Sequence, residues 1–527
     1  MKKFKQITSL TLAAVIAALM GAGCSNGKGG GGSYTDAGGE ITYPIDTDQS
    51  VSFMVKTDAT QKPNDEQPLW QEFQKRTGID IEWVTWTGDD SQIALTFASG
   101  NIPDIIDAYW YMQPGGARGY SSQGYVMEIK ELIDKCMPNF KAFLDSNEDY
   151  TKQTISDDGK YYYVPWYREK DELLVYAGPI VRKDLLDKVG MEAPTTIDEW
   201  YAMLSAFKNQ LGIEAPLTMQ FKTLQMFLSG AYGITNDQEF LNDFRLDESG
   251  KVVYGPTQPL AKEAYKTMAK WYQEGLIDPN ILAIDSDTIT SKMTTGQASA
   301  SWAYLGGGIG NWTKNHDTSI EGYELMGVTP PVVNKGDKPM LGQSDFYENG
   351  VGQAITTKCK NPELAARLLD YFFSEEGKTL YNYGVEGTTY DLVDGKPKYK
   401  EGIIQKQTEE NTLYFSYSGG KGVQLWDAYR QGLAYPEIQE AAAKAWGSTE
   451  VDKYRIPKIS HTDEESDEIS KVLSDVNTYK QEMISKFLLG NVDVETGFDE
   501  FVNTINSLGL DKLIKIKQDA VDRYNAR

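Results

Sequence analysis

Between residues 51 and 106 short apolar runs alternate with stretches of helical rhythm, and that alternation limits the chain more than any other feature. Residues 51–55 form one run, and a stretch carrying Trp70 and Phe73 follows. Ile79-Asp80-Ile81-Glu82-Trp83-Val84 is the second run, residues 93–98 the next helical piece, and residues 102–106 the third run. Apolar runs of strand length separated by segments of 3.6-residue period spell βαβαβ, which predicts a mostly parallel sheet with helices on its faces. Further on, Thr196 and Glu199 bracket a helix start whose free amides they can satisfy, with Ile197, Trp200, Leu204 and Phe207 on the apolar side. Pro362 opens another such helix, with Leu364, Leu368, Leu369 and Phe372 on its inner face. Near the C-terminus Phe498, Phe501, Val502, Ile505 and Leu508, then Leu510, Leu513 and Ile514, mark two amphipathic helices broken at Gly509.

The chain starts with a different signal. Lys2, Lys3 and Lys5 precede a mostly apolar stretch over residues 7–20, too short to span a bilayer, which is the arrangement of an export signal. It runs into Gly21-Ala22-Gly23-Cys24, which resembles the lipobox of bacterial lipoproteins, although Gly21 stands where that pattern usually has Leu. The resemblance makes residues 1–23 a signal peptide and Cys24 the lipidated first residue of the mature protein. Residues 24–40 are polar and glycine-rich and cannot bury enough apolar surface to fold, so they read as a flexible tether. The expected place of the protein is the outer face of the cell membrane, held by lipid on Cys24. No second apolar stretch is long enough to cross a membrane.

With 527 residues, 40% of them hydrophobic, the chain exceeds one ordinary compact domain and calls for two lobes. Its formal net charge of -24 supplies none of the basic surface that nucleic acids or anionic lipids require, so neither is an expected partner. Cys136 and Cys359 stand in no metal-ligand spacing, and either one disulfide or two free thiols fits them. A lipid-anchored glycoside hydrolase or lyase is an alternative class, but among 76 acidic residues a carboxylate pair carries no information. His316 and His461 are the only histidines and sit in polar segments, expected at the surface, and no nucleophile elbow, zinc motif or phosphate loop occurs. Asp285-Ser286-Asp287 looks superficially like a calcium loop, but lacks its glycine and closing acidic ligand. Neither cofactor nor metal is expected.

A series of short motifs points to a family. In order they are Leu95-Thr96-Phe97-Ala98-Ser99-Gly100-Asn101-Ile102-Pro103-Asp104-Ile105, then Asp158-Gly159-Lys160-Tyr161 leading to Val164-Pro165, then Arg182-Lys183-Asp184-Leu185-Leu186. Trp271-Tyr272-Gln273-Glu274-Gly275-Leu276-Ile277-Asp278-Pro279, Thr295-Gly296-Gln297-Ala298 and Ser374-Glu375-Glu376-Gly377 follow. In this order, behind a lipoprotein signal, they make the chain closely similar to the family 1 extracellular solute-binding proteins, in the Gram-positive branch of LplA-like lipoproteins. The resemblance implies an α/β, periplasmic-binding-protein-like class II fold of two lobes, each a mostly parallel sheet flanked by helices, with a hinge between them. It puts residues 41–173 with 350–415 in the first lobe and 174–349 with 416–527 in the second, crossing near residues 173–177, near Asn349 and around Phe415. It further implies a monomer that closes on its ligand and hands it to the permease subunits of an ABC importer, the ligand being a carbohydrate, expected to be an oligosaccharide. An oligopeptide is the alternative ligand, because the fold serves several substrate classes.

Sugar rings need flat apolar faces together with hydrogen-bonding groups, and the chain, with 32 Tyr and 11 Trp, has ample supply. Position must separate binding aromatics from core ones. Ligands sit beyond the carboxyl ends of strands in open sheets, which selects Asp107, Tyr109 and Trp110 after the run at 102–106. Trp166 and Tyr167 border the first crossing. Trp302 and Tyr304 resemble a family segment that carries a binding aromatic from the second lobe. Asp345 and Tyr347 precede the second crossing and Trp426 follows the third, with core packing an equal reading for these. An acidic sugar would ask for an arginine clamp, for which Arg118, Arg168 and Arg182 are nearest.

Overall fold

The computed structural model describes residues 36, 38–57, 62–89, 91–235, 243–403 and 421–527, so Cys24, the signal segment, most of the tether and Phe415 lie outside the described residues. In chain order the strands are β1 (Ser50–Lys56), β2 (Asp80–Trp86), β3 (Ile105–Tyr109), β4 (Val164–Arg168), β5 (Ala177–Arg182), β6 (Phe244–Leu246), β7 (Val252–Tyr254), β8 (Ala300–Tyr304), β9 (Leu325–Gly327), β10 (Glu348–Ile355), β11 (Tyr390–Val393), β12 (Lys396–Tyr399) and β13 (Val423–Gln424). The βαβαβ expectation is met over residues 50–109: β1 pairs in parallel with β2 and β3, with the helices Pro68–Thr77 and Ser91–Ser99 between them.

The first lobe is a six-stranded sheet of order β13-β4-β10-β3-β1-β2, parallel except at β10, which runs antiparallel to both neighbours. Period-two alternation sends Phe53 and Val55 of β1 to one face, against Leu69, Phe73, Phe140 and Leu368, and Met54 to the other, against Ile93, Phe97 and Tyr120. Helices thus cover both faces.

The second lobe differs from expectation. Its strands run in the order β8-β5-β9 and every pairing among them is antiparallel, with parallel contacts at single bridges from Leu217 to Ile277 and Ala300 and from Thr196 to Val332. All six residues of β5 are buried, because helices lie on both faces. A strand buried on both faces reads as one apolar run whatever its direction, so sequence period reports burial and not polarity. One face meets the long helices Ile197–Leu211, Pro259–Gln273 and Asp463–Leu489 through Trp200, Tyr265 and Phe487. The other carries the helix Pro436–Trp446, which comes close because Gly178 and Gly327 have no side chain there. A Cβ on Gly178 would overlap the Trp446 ring, whose Nε1 donates to the Pro179 carbonyl at 2.8 Å.

Local expectations hold where short-range chemistry decides them. Thr196 and Glu199 form the reciprocal cap, at 3.1 and 3.2 Å, and Gly509 breaks the C-terminal pair of helices at φ 102°. Cys136 and Cys359 are both free thiols. Asp285 accepts from the Thr288 amide at 2.7 Å and so caps the helix Ser286–Thr294. His461 is only partly exposed, its side chain at 20% beside the start of the helix Asp463–Leu489, and desolvation pulls its pKa down to about 4.

The lobes are joined at one edge. β4 ends at Arg168, β13 runs parallel beside it and ends at Gln424, and β10 begins on its other side at Glu348, so three adjacent strands present their interlobe ends together. Residues 169–176 lead to β5, residues 328–347 return from β9, and residues 425–435 lead to the helix Pro436–Trp446. Val423 and Gln424, expected in the second lobe, belong to the first sheet. A further contact spans the lobes: Asp157 takes Arg523, from the C-terminal helix of the second lobe, at 2.7 Å, together with Arg527 just beyond that helix.

Candidate binding site

The connections between lobes are strapped to one another. The Gln343 side chain accepts from the amides of Tyr176 and Ala177 at 2.7 and 3.1 Å and donates to the Leu174 carbonyl at 3.1 Å. The Asp345 amide reaches the same carbonyl at 2.8 Å, and the Arg168 and Glu169 amides reach the carbonyls of Tyr347 and Gln424 at 2.9 and 3.0 Å. These bonds align backbone segments and leave most side chains available.

On this frame sits a layered cluster from both lobes. The Arg168 guanidinium, at the end of β4, lies over the rings of Trp166 and Tyr176 at 4.9 and 5.6 Å and pairs with Asp345 at 2.7 Å. The Tyr176 hydroxyl also donates to Asp345, at 3.2 Å, and its ring lies parallel to Tyr304, at the end of β8, with centroids 6.0 Å apart. Tyr304 is 44% exposed, so a flat aromatic ring backed by a second ring faces outward. Beside the connections a cavity of about 1100 Å³ is lined by Gln153 of the first lobe, Phe346, Tyr347 and Trp426 of the connections, and Ala443 and Arg455 of the second lobe. Its mixture of rings and polar groups suits a ligand with apolar faces and hydroxyls.

Not all the expected residues face this region. Tyr304, Trp166 and Asp345 form the cluster, and Tyr347 and Trp426 line the cavity, the Tyr347 hydroxyl donating to Asp171. Tyr109 is half-buried, 5.2 Å from Trp86, with the Lys56 ammonium 3.4 Å from its hydroxyl. Four of the expected residues are buried in the structure. Trp110 is only 1% exposed, donates its Nε1 to the Gly352 carbonyl at 3.0 Å and packs against Tyr120 and Tyr163. Trp302 is 7% exposed within the second lobe's core. Tyr167 is enclosed by Phe143 and Phe373, and burial raises its pKa. Asp107 is buried, held by Lys421 at 3.0 Å and Gln353 at 2.7 Å, and burial pushes its carboxyl upward despite the Lys421 charge.

One ring of the cluster was missed, and one more, Tyr111, lies in the run 107–111 expected to face the cleft. Tyr176 carries no motif and is recognised only through its contacts. Tyr111 follows Trp110 directly and is 45% exposed, lying against Gly350, where φ is 83° and a Cβ would come within 2.8 Å of the Tyr111 Cβ. Of the three candidate arginines, Arg182 forks onto Asp184 at 2.6 and 2.7 Å beneath Tyr323, and Arg118 pairs with Asp158 at 3.5 Å. Among the described residues no group of His, Cys, Asp and Glu could hold a metal ion.

Comparison with known proteins agrees with this architecture. Residues 57–379 match the family model for the bacterial extracellular solute-binding protein. The chain belongs to this family. The solute-binding protein is 25% identical over 92% of both chains to the fructooligosaccharide ABC transporter substrate-binding protein FusA of Streptococcus pneumoniae. It is 24% identical, over 96% of both chains, to lipoprotein LipO of Bacillus subtilis. The crystal structure of the alginate-binding protein AlgQ2 without calcium ion superposes at a TM-score of 0.73, covering 92% of this solute-binding protein and all of that chain at 24% identity. The fold is therefore that of the two-lobed periplasmic-binding-protein-like group. Among the described residues no helix of this solute-binding protein is long and apolar enough to cross a membrane.

Proposed function

We propose that this protein captures an oligosaccharide outside the cell, between its lobes, and delivers it unaltered to the permease subunits of an ABC importer. The observation that carries the reading is the layered cluster of Trp166, Arg168, Tyr176 and Tyr304, which draws from both lobes at the point where three chain connections meet. A hinge of parallel connections permits the lobes to close, and aromatic rings beside it offer the flat faces sugar rings stack on. A ligand favours the closed form only through its greater affinity for it, and rings contributed from both sides of the hinge supply that difference. The names of similar proteins, one binding fructooligosaccharides and one alginate, favour a carbohydrate over a peptide.

In this reading the lobes divide as the family pattern suggests, residues 41–173 with 350–415 and 174–349 with 416–527, apart from β13. The protein acts as a monomer tethered by lipid on Cys24. A thermal-shift screen against oligosaccharides tests the ligand: a matching sugar raises the melting temperature and is recovered chemically unchanged. Turnover of the recovered sugar, or stabilisation by oligopeptides alone, defeats the proposal. Cys24→Ala should release the protein from cells into the medium, and an unchanged membrane fraction would count against the anchor.

A further inference from the structure

We infer that Asp345 sets the charge selectivity of the site, so that the protein takes neutral saccharides and rejects uronic-acid oligomers. The inference rests on the carbohydrate reading above and adds which class of carbohydrate is held.

A site for polyuronates needs a cation free to meet carboxylates, preferably an arginine fork. Arg168 is the guanidinium placed in the cluster, and its charge is already answered. Nη2 meets Asp345 at 2.7 Å, Nη1 meets the Phe346 carbonyl at 3.4 Å, and the flat faces lie against Trp166 and Tyr176. The Arg168 side chain is almost wholly buried, whereas that of Asp345 is 30% exposed, so the charge turned outward from this pair is negative. The neighbouring cavity is also lined by more acids than cations. Its Arg430 and Arg455 are paired with Glu440 and Asp452 at 2.5 and 2.7 Å, and its remaining cation, Lys444, is outnumbered by Asp149, Asp171 and Glu172 on the wall toward the first lobe. A carboxylate accepts hydrogen bonds from sugar hydroxyls but repels another carboxylate. Similar proteins are named for both kinds of ligand, fructooligosaccharide for one and alginate, a polyuronate, for another, so the choice is open within the group and local charge decides it.

The test measures affinity of the full chain, by titration calorimetry, for neutral trisaccharides such as kestose and maltotriose and for trigalacturonate. The wild type should bind a neutral sugar and show no detectable heat with trigalacturonate. Asp345→Asn should improve trigalacturonate affinity by on the order of tenfold, the factor expected for one unit charge within about 10 Å near a protein surface. Because Asp345→Asn leaves a buried guanidinium unpaired and can unfold the chain, the charge-balanced Arg168→Gln/Asp345→Asn pair is measured beside it. That pair should lose the discrimination against trigalacturonate at least in part. Wild-type binding of trigalacturonate as tightly as of any neutral sugar overturns the selectivity while leaving the carbohydrate reading intact. So does a folded variant with wild-type discrimination. If the folded wild type binds no saccharide of either charge, the carbohydrate reading itself falls, and this inference with it.

Discussion

Replacing Tyr304 by Ala separates the site drawn here from one centred on Trp110. A tyrosine has on the order of 200 Å² to bury, and the 44% still exposed leaves about 90 Å² for a ligand to cover. At about 25 cal/mol per Å² that area is worth about 2 kcal/mol, or about thirtyfold in Kd, as an upper bound for full coverage. Tyr304→Phe keeps the face and should stay within about threefold of wild type, because only one hydroxyl is lost. Neither change should lower the melting temperature by more than a few degrees, since the Tyr304 side chain is 44% exposed and a half-exposed ring contributes little to the core. Trp110→Ala has the opposite signature: emptying a fully buried indole site should cost about 3 to 5 kcal/mol of stability and leave the affinity of the folded fraction near wild type. The assay is titration calorimetry with the best oligosaccharide from the thermal-shift screen, paired with urea unfolding of each variant. Unchanged affinity in Tyr304→Ala, together with weakened binding in a fully folded Trp110→Ala, refutes the assignment.

Other predictions concern the frame. Gly178→Val should destabilise by about 1 to 3 kcal/mol in urea unfolding, because the added carbons collide with the Trp446 ring that seats the helix Pro436–Trp446 on the sheet. Asp157→Ala should cost about 3 kcal/mol by the same measurement, since it leaves Arg523 and Arg527 without the carboxylate that ties the second lobe to the first. His461 is four-fifths enclosed, which holds its pKa near 4 against an ordinary value of 6.5, so the unfolded chain takes up a proton that the folded one refuses. The resulting stability is complete above about pH 6.5 and is lost as pH falls toward 4, by up to about 3 kcal/mol, and His461→Gln should flatten that slope in pH-dependent melting.

Much of this protein can be read from local pattern. The alternation over residues 51–106, the cap at Thr196 and Glu199 and the break at Gly509 each depend on residues a few positions apart, where backbone hydrogen bonds and side-chain period act alone. Strand direction in the second lobe and the division of aromatic rings between core and cleft are not of that kind. Trp110 became core because Gly352, 242 residues away, offers a carbonyl to its indole, and Trp446 became core because Gly178, on a distant strand, leaves room for its ring. Tyr304 became a platform because Tyr176, across the sheet, stacks on its ring while 44% of the residue stays exposed. An aromatic side chain has the same affinity for a protein interior as for a sugar face, so its own identity cannot choose between them. The partner that covers it does, and only the tertiary structure supplies that partner.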